Sequence, residues 1–204
     1  MRVLNLYAGI GGNRKLWEDV EVTAVEYNEE IASIYLERFP NDNLILGDAH
    51  EYLLNNYQDF DFIWSSPPCP THSKIRMCNT LVDKKYPDMK LYQEIIFLNY
   101  FCKSKWVVEN VQPYYTPLIP GKKVGRHLVW SNFRISNFED NSEHKIETTS
   151  ANDTVYGFSL KGRSLKHRKD KILRNQVNPA LGLHILNAAR NIITKSNTEQ
   201  TTLF

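Results

Sequence analysis

Five short apolar runs, each ending on a glycine, an acid or a proline corner, constrain the fold of this chain more than any other feature. Residues 2–7 (RVLNLY), 21–26 (EVTAVE), 43–46 (NLIL), 60–64 (FDFIW) and 106–108 (WVV) are short, and they are rich in β-branched, aromatic and leucine side chains, which reads as strand. Helical spacing separates them. Asn28 reads as an N-cap with Glu29 and Glu30 in the first turn, followed by Ala32, Tyr35, Leu36 and Phe39 along one face. A second helix runs from Asp48 through Leu54. A third, over 91–102, carries Leu91, Ile95, Leu98 and Cys102 on a single face. Strands alternating with helices in this way predict an α/β fold, doubly wound around a mostly parallel sheet.

The alternation covers residues 1–112 and then stops. Residues 113–173 are rich in proline, asparagine and charge, as expected of a small irregular or β-rich lobe. Beyond Pro179, the residues Leu181, Ile185, Ala188, Ala189 and Ile192 mark an amphipathic helix within 174–195 that returns to the sheet, and 196–204 reads as a flexible polar tail. The chain has no apolar stretch of membrane-spanning length, and the glycine loop near Met1 breaks what would otherwise resemble a leader. Cys69, Cys78 and Cys102 are odd in number and lack metal-ligand spacing, so a reduced, cytoplasmic protein without a metal, and a monomer, is expected. The net charge of +2 does not announce a polyanionic partner. Its distribution says more: Lys161, Arg163, Lys166, Arg168, Lys169, Lys171 and Arg174 follow closely on one another after the acidic, polar stretch 139–153. Such a run is either a solvated face or a set of phosphate contacts.

In open α/β sheets ligands bind beyond the carboxyl ends of the strands. The residues with chemistry to offer all fall there: AGIGG after the first run, Glu26 after the second, Asp48 after the third, SSPPC after the fourth, Glu109-Asn110 after the fifth. Glycines allow close backbone approach, an acid at Glu26 could accept from ribose hydroxyls, and Asp48 could accept from an adenine amino group. That set suits an adenosine cofactor, with NAD and S-adenosylmethionine both qualifying.

LYAGIGG, SSPPCPTHS, VVENV and RNQVNPALG, in this order, resemble the motifs of the DNA cytosine-5 methyltransferases, over roughly 1–111 and 174–186. The resemblance implies a Rossmann-like methyltransferase fold using S-adenosyl-L-methionine. It implies cofactor contacts from Tyr7, Ala8, Gly9, Ile10, Gly12, Glu26, Tyr27, Asp48, Ala49, Pro68, Asn175 and Val177. It implies Cys69 as the nucleophile, Glu109 as proton donor to cytosine N3, and Arg126 as the residue holding the base or a phosphate. The chemistry explains the residue types. Cytosine carbon 5 is a poor nucleophile until a thiolate adds at carbon 6, and the thiolate needs a lowered pKa or a nearby base. No residue stands out as the base that removes the carbon-5 proton. The resemblance implies double-stranded DNA as the partner, and because the ring must leave the stack, the target base is flipped out. Ser73, Lys74 and Arg76, with Lys84 and Lys85, resemble the family's mobile loop, while Lys161, Arg163, Lys166, Arg168 and Lys169 supply further DNA contacts.

The departures are informative. Asn5 stands where the family has an acid, Pro70 and His72 alter the nucleophile's motif, Arg174 replaces a glycine, and only about forty residues separate Trp130 from Arg174. A lobe this small implies short or relaxed sequence recognition. Rival readings are an RNA cytosine-5 methyltransferase, an amino-methyltransferase (disfavoured by the thiol and Glu109), and a non-catalytic DNA-binding or regulatory relic. The carboxy terminus, with Gln200, Leu203 and Phe204, resembles peptides that dock on the bacterial sliding clamp, which fits a bacterial or phage-infected cell.

Overall fold

The computed structural model describes residues 1–73, 86–139 and 154–191. Lys74, Arg76, Cys78, Lys84, Lys85, Ile192 and the tail residues Gln200, Leu203 and Phe204 lie outside them, as does most of the acidic stretch.

Strands β1 (Arg2–Leu6), β2 (Glu21–Glu26), β3 (Asn43–Leu46), β4 (Phe62–Ser65) and β5 (Lys105–Val111) form the parallel part of one sheet. Its order is β3-β2-β1-β4-β5-β7-β6, where β6 (Lys122–Val124) and β7 (His127–Ser131) run antiparallel at the far edge. The central strands bury consecutive residues and do not alternate, because both faces are covered. On one face α1 (Glu29–Arg38) and α5 (Pro179–Ala189) pack through Tyr35, Leu181, Ile185 and Leu186 on Val3, Trp17, Val22 and Val107. On the other, α2 (Ala49–Asn56) and α3 (Lys90–Phe101) bring Leu53, Leu91, Ile95 and Leu98 against Leu4, Leu6, Ile63 and Val108. This is the doubly wound arrangement expected. Among the described residues no helix is long and apolar enough to cross a membrane.

Two elements differ from expectation. The fifth strand does not stop at Val108: Glu109 and Asn110 lie inside β5, because β7 pairs with them through Val129 and Leu128 beyond the last β4 partner. The hairpin β6–β7, placed by sequence in the lobe, therefore completes the main sheet. What remains outside the sheet is the small hairpin of β8 (Thr154–Val155) and β9 (Phe158–Ser159) and a strap leading into α4 (Lys169–Arg174). Leu160, Ile172 and Leu173 of that strap pack on Ile10 and Ile34, beneath the glycine loop.

Helix α5 reaches the same loop from behind. A Cβ at Gly182 would lie 2.2 Å from the Asn13 carbonyl oxygen and 2.7 Å from its Cα. Backbone cannot yield as a side chain can, so Gly182→Ala is expected to cost about 1–3 kcal/mol. Thermal unfolding should show a Tm lower by roughly 3–10 °C for a chain of this size.

Candidate active site

The order of the sheet reverses between β1 and β4, and the loops leaving these two strands open into the crevice where ligands bind in such folds. The loop after β1 turns sharply: Tyr7, Gly9 and Gly11 have φ of 56°, 56° and 73°. Left-handed backbone is ordinary for glycine and strained for tyrosine. Glu26, at the end of β2, straps the loop down, its two oxygens each accepting one backbone N–H, from Gly9 and from Asn28, both at 2.9 Å. The Arg38 guanidinium donates to the Ile10 carbonyl and, at 3.2 Å, to Gln176, while stacking 4.2 Å over Phe158. Asn5, which replaces an acid, is buried and accepts from the Asn13 amide at 2.8 Å.

The corner after β4 is built by β5. The Asn110 side-chain amide donates to the Pro67 carbonyl at 2.9 Å, an acceptor that the proline corner leaves without a strand partner. Trp64 Nε1 donates to Ser66 Oγ at 2.7 Å, and Ser66 Oγ donates to Glu109 Oε2 at 2.8 Å. The turn closes with the His72 and Ser73 amides donating to the Cys69 carbonyl at 2.9 and 3.1 Å. His72, the departure from the family's aromatic, is buried, with its Nδ1 2.6 Å from the Tyr115 hydroxyl, and burial holds its pKa below the ordinary range. The corner that carries Cys69 is thus tied to Glu109 of the neighbouring strand through Ser66.

Cys69 is half-buried, and its thiol is pushed above the ordinary cysteine range, first by burial and then by the charge of Glu109. Lys171 pulls the other way. The sequence reading asked for a lowered pKa or a nearby base; burial and the Glu109 charge instead shift the thiol upward.

One cavity of about 1220 Å³ takes in both loops. Every residue expected to touch the cofactor borders it, from Tyr7 and the glycine loop through Glu26, Tyr27, Asp48, Ala49 and Pro68 to Asn175 and Val177. So do Cys69, Glu109 and Arg126, the last on the β6–β7 turn. Residues 1–117 match the family model of the C-5 cytosine-specific DNA methylases. The chain belongs to that family.

Solved structures similar to it include Spodoptera frugiperda DNMT2 (26% identity, TM-score 0.37, covering 54% of this chain and 35% of that one). Others are the Entamoeba histolytica methyltransferase EhMeth (18%, TM-score 0.38, 54% and 38%) and the plantazolicin methyltransferase BamL, solved with SAH (14%, TM-score 0.35, 54% and 38%). The chain spans little more than a third of the length of these three proteins. No curated protein matches it.

As a member of the C-5 cytosine-specific DNA methylase family the chain should hold S-adenosylmethionine, and the pocket fits that group. A Cβ at Gly9 would meet nothing within 4 Å, which leaves open space beside the loop backbone. Both Glu26 oxygens retain a lone pair for a ribose diol. Tyr27 exposes 80% of its surface at the cavity's edge, a free ring for an adenine to stack on. Asp48 caps α2 through one oxygen, which accepts from the His50 and Glu51 amides, and these bonds hold its carboxyl below the ordinary range.

The basic segment departs from expectation. Of the described residues expected to bind DNA, Ser73 and Arg168 border the cavity, whereas Lys161, Arg163, Lys166 and Lys169 do not. Arg163 donates to Glu37 of α1 at 2.6 Å, Arg168 pairs with Asp170 at 2.9 Å, and the Lys166 and His167 amides donate to Glu30. Glu30 and Glu37 of α1 thus tie this strap down, and the Arg163 charge is paired there. Residues that sequence reading left unassigned also border the site. Lys171 and Arg174 face it from α4, and buried His127 lies with Nε2 3.6 Å from Glu109 Oε1. His127 directly follows Arg126 in the chain, but nothing local showed that β7 pairs with β5 and so delivers it to Glu109.

Proposed function

We propose that this protein methylates carbon 5 of cytosine in DNA, using S-adenosylmethionine and a covalent adduct on Cys69. The observation that carries the reading is that Cys69, on the corner after β4, and Glu109, on the neighbouring strand β5, line the same cavity as the glycine loop, with Ser66 of that corner bonded to Glu109. The glycine loop, Glu26, Tyr27 and Asp48 hold the cofactor, which supplies an electrophilic methyl group. A flipped cytosine enters beside Cys69, and its ring displaces water from around the thiol and Glu109. Glu109 takes up a proton from solvent as the ring covers it and donates it to N3, which lowers the barrier to addition of the Cys69 thiolate at carbon 6. The S–C6 bond makes carbon 5 nucleophilic. After methylation, the carbon-5 proton passes to water, the N3 proton returns to Glu109, and the C6–S bond breaks to release the thiolate and restore the aromatic ring. Lys171, the cation that draws the Cys69 pKa down, favours the thiolate at the outset. Arg126, exposed on its turn at the cavity rim, is placed for the base or a flanking phosphate.

Incubation with labelled S-adenosylmethionine and unmethylated duplex DNA, or RNA in parallel, followed by sequencing for 5-methylcytosine, tests the reading. Label is expected in DNA. Label confined to RNA moves the activity to the other polymer, and label in neither leaves a binding protein that keeps the fold.

Recognition should be relaxed. Base-edge readout needs side chains on a rigid element in a groove, and between β7 and α4 the described residues offer only the short β8–β9 hairpin and a strap. Binding should therefore rest on phosphate contacts and weaken steeply with salt. Discrimination of several hundred-fold at a site of about six base pairs would contradict this expectation.

A further inference from the structure

Helix α3 packs an apolar face on the sheet through Leu91, Ile95 and Leu98, yet Glu94, on the same face, is completely buried. Taking a carboxylate out of water is expensive, and a leucine there would extend the core at no such cost. Glu94 is compensated by three side chains from three different parts of the fold. Its Oε1 accepts from the Tyr7 hydroxyl at 2.5 Å and lies 3.0 Å from His50 Nδ1. Its Oε2 accepts from the Ser65 hydroxyl at 2.6 Å.

The identity of the three is what matters. Tyr7 opens the glycine loop and holds a left-handed φ of 56° that a tyrosine does not adopt unaided. His50 stands in the first turn of α2, two residues beyond Asp48, so it fixes the adenine side of the pocket. Ser65 is the last residue of β4, directly before the corner that presents Cys69. Burial and the Glu94 charge keep the Tyr7 phenol protonated, and the hydrogen bond to Glu94 raises the His50 pKa.

We propose that Glu94 is a positioning residue whose carboxylate sets the cofactor loop and the nucleophile's corner relative to one another, so that cofactor affinity and Cys69 reactivity depend on it jointly. The proposal rests on the function assigned above. A carboxylate that merely fills the core would let each loop be perturbed separately. One that couples them makes a change at either loop felt at the other.

Two measurements on the intact chain separate these cases: calorimetric affinity for S-adenosylhomocysteine, and the rate of Cys69 alkylation by iodoacetamide, followed by mass spectrometry so that the other thiols are distinguished. Glu94→Gln, which keeps the size but offers one acceptor oxygen in place of two, should shift both by about tenfold. Ser65→Ala, on the nucleophile's side, should weaken S-adenosylhomocysteine binding. Tyr7→Phe, on the cofactor's side, should change the alkylation rate. Both cross-effects should fall within about twofold in the Glu94→Gln background. The two hydroxyl deletions carry the test by themselves if Glu94→Gln fails to fold. The proposal is overturned if Ser65→Ala alters only alkylation and Tyr7→Phe alters only binding. Wild-type protein that binds no S-adenosylhomocysteine would overturn the assigned function itself, and the coupling with it.

Discussion

Replacing Cys69 with alanine should abolish methyl transfer to cytosine, by at least about 10⁴-fold, as loss of a nucleophile does elsewhere. Affinity for S-adenosylhomocysteine should stay within about twofold, because no hydrogen bond of the glycine loop runs through the thiol. The corner should survive, since the bonds that hold it come from backbone and neighbours: the Cys69 carbonyl accepts the His72 and Ser73 amides, and Asn110 secures Pro67. Removing one half-buried sulfur should cost no more than about 1 kcal/mol of stability. Activity lost at unchanged Tm and cofactor affinity is the signature of a nucleophile. Activity retained would place the methyl acceptor's activation elsewhere.

Glu109→Gln should move two readouts in opposite directions. Methyl transfer should fall by about 10²–10⁴-fold, since the amide cannot deliver a proton to N3. Alkylation of Cys69 at neutral pH should become faster. Burial raises the thiol pKa first and the Glu109 charge raises it further, so removing that charge lowers it and increases the thiolate fraction. In the wild type, the alkylation rate should keep climbing with pH beyond the midpoint of an ordinary cysteine, and in Glu109→Gln the curve should shift to lower pH. Ser66 can still donate to the glutamine oxygen, so the corner keeps its tie to β5. A parallel fall in both rates would make Glu109 a structural support of the corner and remove its role at N3.

Much of this arrangement is legible in the chain itself, for a physical reason. Strand and helix patterns are local: Asn28 caps α1 and Asp48 caps α2, and the glycines of the loop stand where left-handed backbone is needed. The residues with chemistry were found because the parallel sheet collects its strand ends at one edge, so a list of strand-terminal residues is already a list of neighbours. Features that depend on long-range pairing escaped. Glu109 and Asn110 lie inside β5 because an antiparallel neighbour extends the strand, and that same neighbour carries His127 to Glu109. Glu94 drew no notice on the amphipathic helix, since its partners are 29, 44 and 87 positions away. The strap 161–174 read as a solvated face or a set of phosphate contacts, because Glu37, which pairs with Arg163, and Glu30, which accepts the Lys166 amide, lie over 100 positions earlier.

The covalent adduct is the central claim, and a substrate that cannot complete the reaction tests it most directly. In a duplex of varied sequence with 5-fluorocytosine in place of cytosine, the Cys69 thiolate can still add at carbon 6 and carbon 5 can still be methylated. The fluorine then occupies the position of the proton that must leave, elimination stops, and the sulfur remains bound. With S-adenosylmethionine present, a denaturation-resistant protein–DNA complex should accumulate, and mass spectrometry should place the linkage on Cys69. Methylation of ordinary cytosine at carbon 5, with no trapped complex on the fluorinated duplex, would contradict the mechanism.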